Sequence, residues 1–148
     1  ETPVVYGVSA SGDSLRGVLV TPDGAAGDLP GLVVIHEWWG LNRNVIDQAR
    51  HLANKGYAAL AVDLYGGESA DSPDGAMALM QAVDDDASVQ NLVAASDFLS
   101  ARGAPRVGSI GWCYTDLPGM FFCYHRGGKR HTFYLAATLR FTTATELG

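Results

Sequence analysis

Three short apolar runs, separated by segments with helical spacing, restrict this chain to few folds. The runs occupy residues 32–35, 58–63 and 107–111. An uninterrupted apolar run of this length is typical of a strand that is covered on both faces. Strands that alternate with helices over short loops form a parallel sheet with helices on both sides. The sequence therefore predicts an α/β fold with a mostly parallel sheet.

The segments around the first run predict a hairpin before it and a helix after it. Residues 3–10 and 15–21 flank a turn cluster and predict two strands that add an antiparallel edge to the sheet. After the first run, apolar residues recur at helical spacing. Asn42 or Asn44 can cap this helix at its start, and Gly56 ends it.

Two more helices are predicted between the second and third runs, over residues 76–83 and 88–100. The acidic run 84–86 lies between them. Adjacent carboxylates do not share a helix face, but they are favoured at a helix N-terminus by its dipole. We therefore interpret this run as a helix start and not as a metal site. Asp63 lies at the end of the second run. We favour a turn or cap role for it over a contact with substrate.

The third run leads into the segment with the strongest chemical signal. Residues 107–110 end at Gly111, and Cys113 follows two positions later. This pattern is typical of a strand that delivers a nucleophile into a sharp turn, where small neighbours let the backbone pass closely. Thr115 stands where a second glycine is expected, so half of the pattern is present. A buried structural cysteine is the competing interpretation.

Three motifs together resemble the dienelactone hydrolase family of α/β-hydrolases. They are the segments 32–42, 63–67 and 111–113, whose order and spacing match that family. The resemblance covers about residues 4–113, and the sequence after Cys113 is not recognised. The resemblance implies a truncated α/β-hydrolase fold, and a length of 148 residues predicts a single domain, residues 1–148. This domain would consist of a family-like core, 1–113, and a divergent tail, 114–148.

Charge and composition limit the partners. The net charge is −6 and there is no basic run, which excludes nucleic acid and anionic membranes as expected partners. The apolar runs are far too short to span a bilayer, and no signal peptide is visible. Two cysteines are too few for a disulfide framework, which predicts a reducing, cytoplasmic location. Residues 1–113 carry a net charge of −8 and the tail carries +2.

Ligands of parallel α/β sheets bind beyond the carboxyl ends of the central strands. Glu37 and Cys113 both follow such ends, so neighbouring strands would bring them to one cleft. A cysteine thiolate there can attack the carbonyl of a small-molecule ester or lactone. The resulting oxyanion needs two N–H donors, and the backbone groups of Trp38 and Tyr114 are the candidates. No cofactor is expected. His36, Glu37, Asp63 and Cys113 match no metal-ligand spacing.

The family resemblance implies that Cys113 is the nucleophile and that Glu37 contacts its thiol in the resting enzyme. The family's catalytic histidine and aspartate have no matching segments here. His36, His125 and His131 are the possible bases, with Asp116 as an orienting group. For His36 we favour a structural hydrogen bond, because it alternates to the other side of its strand from Glu37.

The tail leads to an assembly prediction. Residues 131–143 alternate with period two and predict a half-buried strand, with a helix as the alternative. This segment can cover the open edge of the strand that ends at Cys113, in its own chain or in a partner. We therefore expect a homodimer with residues 114–148 at its interface. Two functions remain open: a cysteine-dependent esterase or lactonase, and a catalytically inactive α/β-hydrolase remnant that self-associates.

Overall fold

The structure, a computed structural model, describes residues 1–25, 28–113, 121–126 and 129–137, and from Trp112 onward it describes the backbone alone. The strands in this part form one sheet with the order β1-β2-β4-β3-β5-β7-β6. The strands are β1 Thr2–Val8, β2 Ser14–Val20, β3 Gly31–Ile35, β4 Ala58–Val62, β5 Val107–Cys113, β6 Phe121–Arg126 and β7 Lys129–Ala137. The helices are α1 Arg43–Ala53, α2 Pro73–Ala82 and α3 Asp85–Ala101.

The centre of the sheet is parallel, as the sequence predicts. β3 pairs in parallel with β4 on one side and with β5 on the other. β2 pairs antiparallel with β4, and β1 pairs antiparallel with β2. The predicted antiparallel edge is therefore confirmed. The prediction that the strand ending at Cys113 lies beside the strand leading to Glu37 is confirmed as well.

The helix ends follow the predicted caps, although α2 and α3 each begin three residues before the predicted ranges 76–83 and 88–100. The Asn42 side chain accepts a hydrogen bond from the Val45 N–H, and the Asp84 side chain accepts one from the Ala87 N–H. The acidic run is thus the start of α3. The second helix begins at Pro73, three residues earlier than predicted, because Ser72 caps it and proline suits a first helical position.

Successive residues of β3 belong to cores on opposite faces of the sheet. Val33 and Ile35 pack with Leu92 and Leu99 of α3, whereas Val34 packs with Ala49 of α1. β5 follows the same alternation. Val107 packs against the cluster on the α3 side, and Ile110 packs against the cluster on the α1 side. This alternation of side chains decides which strand-end residues lie on the same face of the sheet.

The tail adds a hairpin to the far side of β5. β7 runs parallel to β5 and pairs with its last three residues, from Gly111↔Leu135 to Cys113↔Ala137. The strand predicted over 131–143 therefore exists and folds back within its own chain, although it begins at Lys129 and its residues after 137 lie outside the described part. β6 was not predicted, although its aromatic residues favour a strand.

Candidate active site

Glu37 and Cys113 occupy equivalent positions at the carboxyl edge of the sheet. The register between β3 and β5 pairs Ile35 with Gly111. Glu37 and Cys113 each lie two residues further along the chain. If the register is extended, it therefore sets the two residues opposite each other on the α3 side of the sheet. Cys113 itself still belongs to β5, and the predicted turn beyond it, with Tyr114, lies outside the described residues.

The carboxyl group of Glu37 is half-buried and has no hydrogen-bond or ion-pair partner among the atoms that the structure describes. Burial raises the pKa of this carboxyl above its ordinary value of 4.5. A carboxylate with a raised pKa is a stronger base, and it can take a proton from a neighbouring acid. Among the described residues, Glu37 thus has an unpaired acceptor at the strand end where the sequence predicts the chemistry.

The residues after β3 form a tight turn from Glu37 to Gly40. The Gly40 N–H donates to the Glu37 carbonyl at 3.1 Å. Gly40 has a φ of +87°, and a Cβ there would lie 2.6 Å from the Glu68 carbonyl oxygen, so only glycine fits. The Trp39 carbonyl accepts a 3.0 Å hydrogen bond from the Ala70 N–H. The turn is therefore attached to the loop that follows β4.

His36 is buried, with 5% of its surface exposed, and it connects the ends of β3 and β4. Its Nε2 lies 3.1 Å from the Leu64 N–H, and its Nδ1 lies 2.7 Å from the Glu37 carbonyl oxygen. A backbone N–H can only donate and a carbonyl can only accept, so Nε2 is unprotonated and Nδ1 carries the hydrogen. Burial lowers the pKa of this imidazole. Both nitrogens are engaged in the structural role that the sequence favours.

The other two candidate bases lie on the added hairpin. His131 pairs with Tyr124, and His125 pairs with Arg130. His131 precedes Ala137, the partner of Cys113, by six positions, which corresponds to about 20 Å along an extended strand. This topology therefore does not bring His125 or His131 to the level of Cys113.

Asp63 and Asn91 organise the end of β4. The Asp63 side chain accepts a 2.9 Å hydrogen bond from the Tyr65 N–H, which is the predicted turn role. Asn91, a buried residue of α3, donates to the Asp63 carbonyl at 3.2 Å and accepts from the Tyr6 hydroxyl. The role of Asn91 was not predicted, because one polar residue among the apolar positions of a helix gives no signal of its long-range partners.

A groove of about 620 Å³ opens at this end of β4. Asp63, Tyr65 and Glu68 line it from the strand end, and Ser88 and Asn91 line it from α3. Because β4 is the direct neighbour of β3, the groove lies on the same edge of the sheet as Glu37. The part of the chain described here holds no group of three side chains that could bind a metal ion. None of its helices is long and apolar enough to cross a membrane.

The parallel sheet with an antiparallel edge, flanked by helices and ending in the Glu37 turn, is that of an α/β-hydrolase. Residues 15–125 match the Dienelactone hydrolase family. The chain belongs to this family. The match confirms the resemblance predicted over about residues 4–113, and it extends past Cys113 to residue 125.

Two relatives and one solved structure illustrate the similarity. Protein usf of Aquifex pyrophilus is 35% identical over 121 residues, which cover 76% of this chain and 51% of that protein. A protein of Aquifex aeolicus provisionally named carboxymethylenebutenolidase is 41% identical over 73 residues, 47% of this chain and 30% of its own. The chain spans about half the length of the first of these relatives and 30% of the length of the second.

The solved structure is a dienelactone hydrolase-like promiscuous phosphotriesterase from metagenomic libraries. It is 29% identical, and the two structures superpose with a TM-score of 0.64. The superposition covers 76% of this chain and 49% of the phosphotriesterase.

Proposed function

We propose that this protein hydrolyses small carboxylic esters or lactones with Cys113 as the nucleophile. The observation that supports the proposal is the register of β3 and β5: Ile35 pairs with Gly111, and Glu37 and Cys113 each follow two residues later at the carboxyl edge of the sheet. Membership of the dienelactone hydrolase family supports the reaction class. The half-buried Glu37, with its raised pKa, supports the location.

The proposed reaction has two steps. The Cys113 thiolate attacks the carbonyl carbon, and the ester C–O bond breaks, so that the alcohol leaves with a proton and a thioester remains. Water then hydrolyses the thioester, which restores the thiol and releases the acid. In each step the carbonyl oxygen becomes negative, and the backbone N–H groups of Trp38 and Tyr114 are the proposed donors to it.

Glu37 is the proposed partner of the Cys113 thiol. A free thiol has a pKa of about 8.5, so little thiolate exists at neutral pH without help. An ordinary carboxylate is a weak base toward such a thiol. Burial raises the pKa of Glu37 and so brings it closer to the pKa of a free thiol. Glu37 therefore both holds the resting thiol by a hydrogen bond and accepts its proton.

A short-chain aryl ester such as p-nitrophenyl acetate tests the proposal. We expect turnover above the rate without protein, and a loss of at least about 10³-fold in Cys113→Ser or after thiol blocking. Cys123→Ser is the matched control and retains the wild-type rate. Absence of thiol-dependent turnover in the wild type would favour the alternative, a catalytically inactive member of the family.

We further propose that the protein forms a homodimer, and that it works in the cytoplasm, as its two cysteines indicate. One of the two outermost described strands, β1, exposes 57% of Val5 and 67% of Val8, which supports pairing between chains. The tail's charge of +2 complements the −8 of the core. Light scattering tests the dimer, first on the intact chain and then on one truncated after Thr115. A monodisperse intact monomer contradicts it.

A further inference from the structure

We propose that His36 is a positioning residue that directs the backbone N–H of Trp38 toward the oxyanion. The inference rests on the proposed hydrolase function, to which it adds a residue that touches neither the substrate nor Cys113. Its basis is the peptide unit that joins Glu37 to Trp38. This unit carries both the carbonyl that His36 binds and the N–H that the reaction needs.

The direction of the Trp38 N–H follows from the geometry of a trans peptide. The described part of the chain contains no cis peptide bond, so the Glu37 carbonyl and the Trp38 N–H point in opposite directions. The carbonyl oxygen lies 2.7 Å from Nδ1 of His36, whose Nε2 in turn binds the Leu64 N–H after β4. The carbonyl is therefore turned toward β4.

β4 and β5 flank β3 on opposite sides. An N–H that points away from β4 points toward β5, the strand that carries Cys113. Among the described atoms, none accepts a hydrogen bond from the Trp38 N–H. The donor is thus unused and faces the side of the sheet on which a tetrahedral intermediate on Cys113 would form.

His36 holds this orientation because both of its nitrogens have fixed roles. The Leu64 N–H makes Nε2 the acceptor, which leaves Nδ1–H as the donor to the Glu37 carbonyl. The Gly40 N–H donates to the same carbonyl at 3.1 Å. Rotation of the peptide would break both hydrogen bonds and leave the buried Nδ1–H without an acceptor. The oxyanion donor is therefore oriented before substrate binds.

Two substitutions test the roles of the two ring nitrogens of His36 one at a time. In His36→Asn the amide nitrogen takes the position of Nδ1 and keeps the donor to Glu37, but loses the acceptor for Leu64. In His36→Gln the amide oxygen takes the position of Nε2 and keeps the acceptor for Leu64, but loses the donor to Glu37. Each variant removes one hydrogen bond, so the pair is matched for structural damage.

We expect His36→Gln to lower kcat about 10- to 100-fold with little change in KM, because a misdirected donor acts on the transition state. His36→Asn should retain kcat within about threefold, although both variants lose similar thermal stability. Equal kcat values in the two variants would overturn the inference. So would a loss of kcat in His36→Asn that exceeds the loss in His36→Gln.

A second measurement is independent of activity. The carbonyl ¹³C resonance of Glu37 reports the hydrogen bond that it accepts, and the ring ¹⁵N resonances of His36 report its tautomer. We expect the carbonyl signal to move in His36→Gln and to stay near its wild-type position in His36→Asn. An unchanged Glu37 signal in His36→Gln overturns the inference. A wild type without thiol-dependent turnover overturns the proposed function instead, and the carbonyl signal then decides the peptide orientation alone.

Discussion

Glu37 and Asp63 are two carboxylates at the carboxyl ends of neighbouring parallel strands, and the structure uses them differently. The Asp63 side chain accepts a hydrogen bond from the Tyr65 N–H, and its carbonyl is held by Asn91. The Glu37 carboxyl has no partner among the described atoms, whereas its carbonyl is held by His36 and Gly40. One side chain closes a turn, and the other is left available while its backbone is fixed.

Under the proposed function, one of these two similar strand ends serves structure and the other serves chemistry. A carboxylate within a turn accepts a hydrogen bond from a nearby N–H and stabilises the loop. A half-buried carboxylate without such a donor has a raised pKa, which costs stability and is characteristic of functional sites. The hydrogen bonds that the Glu37 carbonyl accepts from His36 and Gly40 fix the backbone beside this carboxylate.

The largest expected difference between the two carboxylates is in turnover. Glu37→Gln should lower kcat by about 100-fold or more, because the amide cannot accept the thiol proton. Asp63→Asn is the matched change and should stay within about threefold of the wild type, since its Oδ1 can still accept from the Tyr65 N–H. Steady-state kinetics with an aryl ester measures both. A comparable loss in the two variants would contradict the assignment of Glu37 to the site.

The reactivity of Cys113 provides a second contrast. A base beside a thiol takes up the thiol proton and so favours the reactive thiolate. We therefore expect Glu37→Gln to slow the alkylation of Cys113 by up to about tenfold at pH 7, and Asp63→Asn to leave it unchanged. Mass spectrometry after limited alkylation measures the rates, with Cys123 as the internal reference.

In the wild type, Cys113 is predicted to react before Cys123. Preferential labelling of Cys123 would count against the nucleophile assignment. An alkylation rate of Cys113 that is the same in the wild type and in Glu37→Gln would mean that the two side chains are not neighbours.

The two carboxylates should differ in the opposite sense in their effect on stability, where Asp63 matters more than Glu37, and this difference is smaller. Asp63→Ala removes the acceptor for the Tyr65 N–H and should lower the free energy of unfolding by about 1 kcal/mol. Asp63→Asn keeps the acceptor and should cost less than half as much. Glu37→Ala removes no hydrogen bond among the described atoms and should be nearly neutral. Urea denaturation of the three variants provides the values, and a larger loss in Glu37→Ala than in Asp63→Ala would reverse the comparison.

The sequence predicted the sheet and the position of Glu37 for a clear physical reason. Continuous apolar runs identify the buried strands, and the alternation of side chains along β3 separates His36 from Glu37. The hydrogen bonds that define the turn could not be predicted in this way. The contacts from His36 to Leu64 and from Asn91 to Asp63 each join residues 28 positions apart, and such pairs depend on how the elements pack.

The tail shows a second limit. Its period-two pattern predicted β7, but β6 has no comparable alternation and was missed. The fold-back of β7 onto β5 was one of two routes that were sterically open, the other being the addition of this strand to a partner's sheet. The distance of His131 from Cys113 could therefore not be inferred until the direction of β7 was known.

The smallest effect that we predict is a pH dependence of stability. Burial lowers the pKa of His36 below its ordinary value of 6.5, although the Glu37 carbonyl and the charge of Asp63 oppose the shift. The unfolded chain therefore binds the proton more readily, so this contribution is complete above pH 6.5 and is lost as the pH falls toward the lowered value. The raised pKa of Glu37 acts with the opposite sign, because its contribution is complete below pH 4.5 and is lost as the pH rises.

Melting temperatures measured between pH 5 and 7.5 separate these two effects. Relative to the wild type, His36→Asn should show a weaker loss of stability on acidification, because it cannot be protonated. Glu37→Gln should gain stability relative to the wild type as the pH rises, because it removes a half-buried charge. Other titrating groups are common to all three proteins and cancel in the differences. Parallel pH profiles for the wild type and His36→Asn would show that His36 titrates alike in the folded and unfolded chains.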